Sequence, residues 1–428
     1  MTARVVIVGG GYVGLYAALG LERRLQPGEA EVTLVNPESY MTYQPFLPEA
    51  ASGNIEPRHV VVPLRTVLRR TRVVVGQLAS LDHARQKATL ASGAVLDYDH
   101  VVIALGSISR VLPVPGLSER GVGFKTVAEA IHLRNHVLSC MDRAESTTDR
   151  EARRRLLTFC FVGGGYAGVE ALAELEDLAR DACRLFSTID RDEMRWVLVE
   201  AMAGILPEIG AGLGDYAIDR LRRRGIEVHL NTRLESAEGG VMKLSNGESF
   251  ASETLVWTTG VAPHPLLRQL GLPLDDRGRL AVDEFLRLHD HDDAWAGGDG
   301  AAVPDLTTGG VCPPTAQHAL RQGRRLAANV SASLRGQELA PFRYRNKGGL
   351  VSLGRYKGVA RVGPVRMKGA PAWFLHRTYH VLMVPTFNRK ARILADWTVA
   401  LFFKRDVVQL GSLAEWRKPL ADAIGEGS

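Results

Sequence analysis

Apolar residues along this chain come in short dense runs separated by glycine-bearing and charged stretches, the pattern of alternating strands and helices. Residues 5–8 form a first β-branched run and 31–36 (EVTLVN) a second, with a helix-forming stretch over 16–25 between them. Runs at 59–64, 71–78 and 97–107 predict further strands, the last a buried parallel strand that ends in Gly-Ser. Residues 37–53 mix aromatics, prolines and small residues too irregularly for a core element, and read as a loop laid against a ligand. A charged helical stretch over 125–155 leads into a second series of the same kind, at 159–162, 195–200, 225–230 and 253–261. The run 253–261 closes on Thr-Gly much as 97–107 closes on Gly-Ser, so one fold is used twice. The first series resumes at 292–301 (DDAWAGGDGA), and from about residue 340 the composition turns aromatic, basic and strand-like.

Each series opens on the same signature. VVIVGGGYVGLYAA carries Gly9, Gly11 and Gly14 on a G-x-G-x-x-G template, and FCFVGGGYAGVEAL carries Gly163, Gly165 and Gly168. Both follow a strand and precede a helix. The glycines let backbone approach a pyrophosphate, and the helix offers it unpaired N–H groups and a positive dipole end. One such loop is weak evidence; two imply two dinucleotides. At the end of the next strand a residue usually holds a ribose, and the second series has Glu200 there. Its distance from Gly168 exceeds the usual roughly twenty residues, with the polar stretch 179–195 read as an insertion. A carboxylate there repels a 2′-phosphate, so NADH is preferred to NADPH. The first series has Asn36, a weaker ribose partner, with Glu38 as a possible substitute. In AWAGGDGA, a strand ending in Gly-Gly-Asp can set Asp299 under a ribityl chain, which makes the first dinucleotide a flavin.

Composition adds limits. At 428 residues, the chain suits two or three domains. The net charge of +6 is spread among acids, fits either a solvated surface or attraction to an anionic membrane, and comes without a nucleic-acid motif. Cys140, Cys160, Cys183 and Cys312 form no C-x-x-C pair, which argues against a dithiol centre or a zinc site. His289 and His291 alternate with acids and read as a solvated turn; no metal site is expected. The uncharged stretch 5–21 is a nucleotide loop, not a signal peptide, and no stretch suits a spanning helix.

Together, VGGGYVGL, TYQPFLPEAASG, VVIALGS, VGGGYAGVEALAEL, VLVEA, VWTTGV, AGGDGA, PPTAQHALRQG and the terminal AWFLHRTYHVL…ADW resemble the type II NADH dehydrogenases, non-proton-pumping NADH:quinone oxidoreductases of the two-dinucleotide flavoprotein superfamily. The resemblance covers nearly the whole chain. It implies an α/β protein of two Rossmann-like domains, with the FAD domain (1–125 and 281–340) interrupted by the NADH domain (126–280), and a C-terminal membrane-associating module (341–428). It places FAD with Gly9, Gly11, Gly14, Asn36, Gly106, Asp299 and Ala316, and NADH with Gly163, Gly165, Gly168, Glu200 and Gly260. It brings a quinone near Gln44, Pro45 and Gln317, and gives Glu170 a part in proton delivery; a plain helix-terminus acid is the competing reading of Glu170. The family's A-Q-x-A-x-Q pattern is broken by Arg321 in the second glutamine position, which leaves the acceptor's identity open.

The segment NRKARILADWTVALFFKR spaces Ile393, Leu394, Trp397, Ala400 and Leu401 as a helix face between basic ends. That fits an interfacial helix on the cytoplasmic face of the cell membrane, or a packing or dimer helix with the same stripe; a homodimer is expected. A sulfide:quinone reductase would need cysteines at the flavin, and a disulfide reductase a cysteine pair where this chain has PESYMTYQPF. A soluble ferredoxin-type reductase would lack the terminal anchor. A low-turnover flavin redox sensor remains the reading from another class, kept open by Asn36 and Arg321.

Overall fold

The computed structural model describes residues 2–346 and 348–409, so residues 410–428 of the expected C-terminal module lie outside the described residues. The chain groups into two units, one of Met1–Tyr43, Val61–Arg110 and Val261–Lys347, the other of Gln44–Val60, Val111–Gly260 and Gly348–Ser428.

The first unit holds a parallel sheet ordered Ala294–Ala296, His100–Ile103, Ala3–Val8, Ala30–Asn36, Arg72–Val75. Its central strand is apolar on both faces, as a sheet covered on both sides requires: Val5 and Ile7 are fully buried, as are Leu34, Val101 and Trp295 beside them. The helices Tyr12–Arg24 and Ala316–Leu334 meet at small residues. A Cβ added at Gly20 would sit 2.4 Å from the Ala327 Cβ, and one at Gly323 would sit 2.5 Å from the Val13 carbonyl oxygen. The first helix starts at Tyr12, earlier than the hydrophobic pattern indicates, because Gly11 is already its cap and Gly14 lies inside it.

The second unit repeats the plan, with a parallel sheet ordered Gly121–Val122, Thr254–Trp257, Thr158–Val162, Arg195–Val199, Ile226–His229. Thr126 and Glu129 form a capping box that starts the helix Val127–Ser146. The polar stretch after Gly168 becomes the end of the long helix Tyr166–Ala182 and two short 3₁₀ turns, so the next strand arrives late. Residues beyond 347 add an antiparallel meander of Gly348–Ser352, Gly358–Val362 and Val365–Lys368, then the helices Ala370–Met383 and Phe387–Phe402.

Two sequence expectations change here. Residues 37–53 are not one irregular loop: they form the strand Tyr40–Thr42, a 3₁₀ turn Gln44–Phe46 and the helix Leu47–Ala51, buried from Phe46 onwards. The reason is distant in sequence, since the Phe46 ring packs edge-on against Trp397 at 5.7 Å and His380 at 6.0 Å. The terminal helix also divides its apolar stripe. Ile393 is fully buried and Trp397 points inward, while Leu394, Val399, Leu401 and Phe402 face outward.

Candidate functional site

In open α/β sheets, ligands settle beyond the strand ends where the strand order reverses. In the first unit that point lies between Ala3–Val8 and His100–Ile103, and the Gly9–Gly14 turn sits on it. Gly9 has φ +104°, and a Cβ there would lie 2.2 Å from the Ala104 carbonyl oxygen; a Cβ on Gly14 would lie 1.8 Å from the Gly9 oxygen. Gly11 differs. Its added Cβ meets nothing within 4 Å, so its face is open to whatever the loop cradles. Asn36 closes the loop: its Oδ1 accepts the Gly10 N–H at 2.7 Å, while its Nδ2 donates to the Glu38 oxygen at 2.8 Å. Next to this turn is a cleft of about 290 Å³ whose lining includes Val8, Gly9, Pro37, Gln77, His264 and Gln269. Gln77 and His264 were not found from sequence, because no local motif marks them. Ser107, the neighbour of Gly106, donates to Asp299 Oδ2 at 2.7 Å, and Gly106 has φ +68°.

The second unit builds the same turn at Gly163–Gly168. A Cβ on Gly168 would lie 2.0 Å from the Gly163 oxygen, and one on Gly165 would meet nothing. Glu200 takes the place that Asn36 has in the first unit. Its Oε2 accepts the Gly164 N–H at 2.5 Å and its Oε1 the Met202 N–H at 2.7 Å. Gly260 has φ +79° at the end of the neighbouring strand segment, with open space at its Cβ position. Both loops therefore fit a dinucleotide pyrophosphate: two pinned glycines shape each turn, and the open one is where a Cβ would fill the cradle.

The helix Ala316–Leu334 is capped by Thr315, whose side chain accepts the His318 N–H. Gln317 and Arg321 lie one turn apart, and Arg321 Nη1 donates to the Gln317 main-chain oxygen at 2.8 Å. Gln322 points the other way, buried, with its Oε1 accepting the Gly298 N–H at 2.7 Å. In the second unit Gln44 is exposed and donates to the Lys125 oxygen at 3.3 Å, with Pro45 beside it. Glu170 is not a helix-terminus acid. It is buried one turn in, and its Oε1 accepts the Ser352 N–H at 2.8 Å and meets His376 Nε2 at 3.1 Å. Behind His376 stands His380, which burial, helped by its neighbour, holds well below the usual imidazole range.

Residues 3–323 match the pyridine nucleotide-disulphide oxidoreductase family. Over 420 residues the chain is 31% identical to the type II NADH:quinone oxidoreductase Ndh of Mycobacterium tuberculosis, covering 94% of this chain and 89% of that relative. The chain belongs to the type II NADH:quinone oxidoreductase family. A Staphylococcus epidermidis member is 29% identical, covering 87% of this chain and 93% of its own length. The fold agrees with that of NDH2 from Plasmodium falciparum, solved in complex with NADH, at a TM-score of 0.86 and 17% identity, over 95% of this chain and all (100%) of the other.

Three of the four cysteines of this type II NADH:quinone oxidoreductase family member are buried and poorly suited to thiol chemistry. Burial pushes the Cys160 thiol up to about 12 and those of Cys140 and Cys312 up to about 11, which keeps them protonated near neutrality. Among the described residues, Glu227, His229 and Glu248 lie at metal-ligand spacing, but Arg195 already pairs with both carboxylates, at 2.7 and 2.5 Å.

Proposed function

We propose that this chain oxidises NADH and passes two electrons through FAD to a membrane quinone without pumping protons. The observation that carries the reading is kinship along nearly the whole chain with proteins named type II NADH:quinone oxidoreductases. FAD, when bound, would supply the hydride and two-electron chemistry by which NADH, a proton and a quinone become NAD+ and a quinol. Gly9, Gly11 and Gly14 hold the FAD pyrophosphate, Asn36 a ribose, and the cleft beside Gln77 and His264 the nucleotide end; Gly106, Asp299 and Ala316 serve the flavin end. Gly163, Gly165, Gly168, Glu200 and Gly260 hold NADH. Gln317 and Arg321 serve the acceptor end; in the second unit, Gln44 and Pro45 are the residues assigned to the quinone and Glu170 the one assigned to proton delivery. The sequence-derived limits, 1–125 with 281–340 for FAD and 126–280 for NADH, belong to the same reading.

Anaerobic stopped-flow tests it. Purified holoprotein should lose its flavin absorbance rapidly on mixing with NADH and regain it on mixing with a soluble menaquinone or ubiquinone analogue. Bleaching without reoxidation by either quinone would overturn the acceptor assignment. Glu200→Gln should narrow the preference for NADH over NADPH. Its amide NH2 would face one of two backbone N–H donors, so the KM for NADH should also rise roughly tenfold, read in steady-state assays with both nucleotides.

Among the described residues no helix is long and apolar enough to cross a membrane. The outward face of the last two helices supports peripheral attachment to the cytoplasmic face of the cell membrane: Phe387 and Phe402 are 84% and 79% exposed, and Phe374, Leu382, Leu401 and Phe403 are also exposed, near Arg392 and Lys404. Phe387→Ser with Phe402→Ser should weaken binding to anionic vesicles by roughly tenfold or more, measured by co-sedimentation. A homodimer is the expected assembly; if this face instead joins two copies, the double substitution would halve the sedimenting mass and leave vesicle binding unchanged.

A further inference from the structure

We infer that Tyr344 is a positioning residue for the acceptor site, setting the orientation of Gln317 and fixing the charge of Arg321 at one place. This rests on the assignment of Gln317 and Arg321 to the quinone end of the reaction. Tyr344 lies outside every motif, yet three side chains of the helix Ala316–Leu334 converge on its ring. Its hydroxyl lies 2.6 Å from Gln317 Oε1. That separation suits O–H···O and is short for N–H···O, so the phenol donates to the amide oxygen and does not accept from the amide NH2. The Gln317 Nε2 group is thereby assigned to the opposite branch of the amide, so the tyrosine fixes which way the amide is turned.

The ring face carries the second contact. The Arg321 guanidinium lies 4.1 Å from the Tyr344 centroid while its Nη1 holds the Gln317 main-chain oxygen at 2.8 Å. A guanidinium stays charged at any working pH, so a fixed cation stands beside a fixed amide donor. The third contact holds the ring itself. His318 meets it edge-on at 4.9 Å, and His318 Nδ1 is tied to Thr315 Oγ1 at 2.7 Å, at the helix cap. One tyrosine thus ties the donor and the cation together, and its bracing comes from the turn that begins the helix. The acceptor class this favours is a quinone whose carbonyl oxygen gains negative charge on reduction, which the fixed guanidinium stabilises.

Two variants of the full-length, FAD-loaded protein separate these roles. Tyr344→Phe keeps the ring under Arg321 and removes the hydroxyl; Tyr344→Leu removes both. Each would be followed anaerobically in the two half-reactions, with menadione as the oxidant, and menadione binding to the oxidised protein would be titrated by flavin fluorescence. For Tyr344→Phe, flavin reduction by NADH should stay within about twofold of the parent, while reoxidation should slow and the menadione Kd rise by roughly three- to tenfold, the value of one hydrogen bond. Tyr344→Leu should lose more in the same half-reaction and still leave reduction by NADH intact. Unchanged reoxidation and Kd in both variants would overturn the inference while leaving the quinone reading in place. Equal slowing of both half-reactions would mark Tyr344 as merely structural and also overturn it. If the parent protein is reduced by NADH but neither binds menadione nor is reoxidised by it, the quinone reading falls, and this inference with it.

Discussion

Gly11→Ala is expected to yield folded protein, melting within a few degrees of the parent, that purifies largely without flavin. Gly11 is extended (φ −71°, ψ −159°), a conformation that alanine adopts freely, and its Cβ would meet no protein atom within 4 Å. The methyl group therefore costs the apoprotein almost nothing and takes the space into which a pyrophosphate must come. Overpacking of that kind costs about 1–3 kcal/mol, or roughly ten- to a hundredfold in FAD affinity. Gly14→Ala is the contrasting case. Its Cβ would lie 1.8 Å from the Gly9 oxygen, where only backbone can yield, so folding itself should be damaged by more than about 3 kcal/mol. Flavin absorbance per protein, set beside the thermal melt, separates the two; a Gly11→Ala protein that retains full flavin would refute the cradle assignment.

Arg377→Met should strongly destabilise the second unit. Arg377 reaches both oxygens of Glu49, at 2.7 and 3.2 Å, and its guanidinium lies between the rings of Trp373 at 4.1 Å and Trp397 at 4.7 Å. Glu49 is only 1% exposed, and its other strong partner is the Trp397 indole N–H at 2.8 Å. Without Arg377 the carboxylate stays buried and uncompensated, at about 3–5 kcal/mol. Adding Glu49→Gln to Arg377→Met should recover much of that loss, since the buried charge is then gone as well. Denaturant melts of the parent, both single variants and the double variant give the coupling. Additive losses would mean that the pair does not act as a unit.

The parts of the site legible in the sequence are those whose chemistry is local. The glycine turns, the helix start after Pro313 and Pro314, and the strand-end residues Asn36 and Glu200 each lie within one strand–turn–helix unit, so spacing alone reveals them. What the sequence concealed is held by contacts between distant residues. Phe46 and Glu49 look like loop residues until Trp397 and Arg377 cover them. Glu170 resembles a helix-terminus acid until the Ser352 amide and His376 reach it. Tyr344, in a stretch without regular secondary structure, carries no signal at all before its hydroxyl is seen on Gln317. The terminal helix was legible as amphipathic, but which of its apolar residues face inward depends on a helix near the other end of the chain.

The two glycine turns are fastened by different groups, an amide oxygen at Asn36 and a carboxylate at Glu200. Geometrically the fastenings are alike; electrically they are not. A carboxylate beside the turn subtracts from the positive field that a helix start offers to a pyrophosphate, whereas an amide leaves that field whole. The two turns therefore offer an anion different fields from the same backbone geometry, the first the more positive of the two.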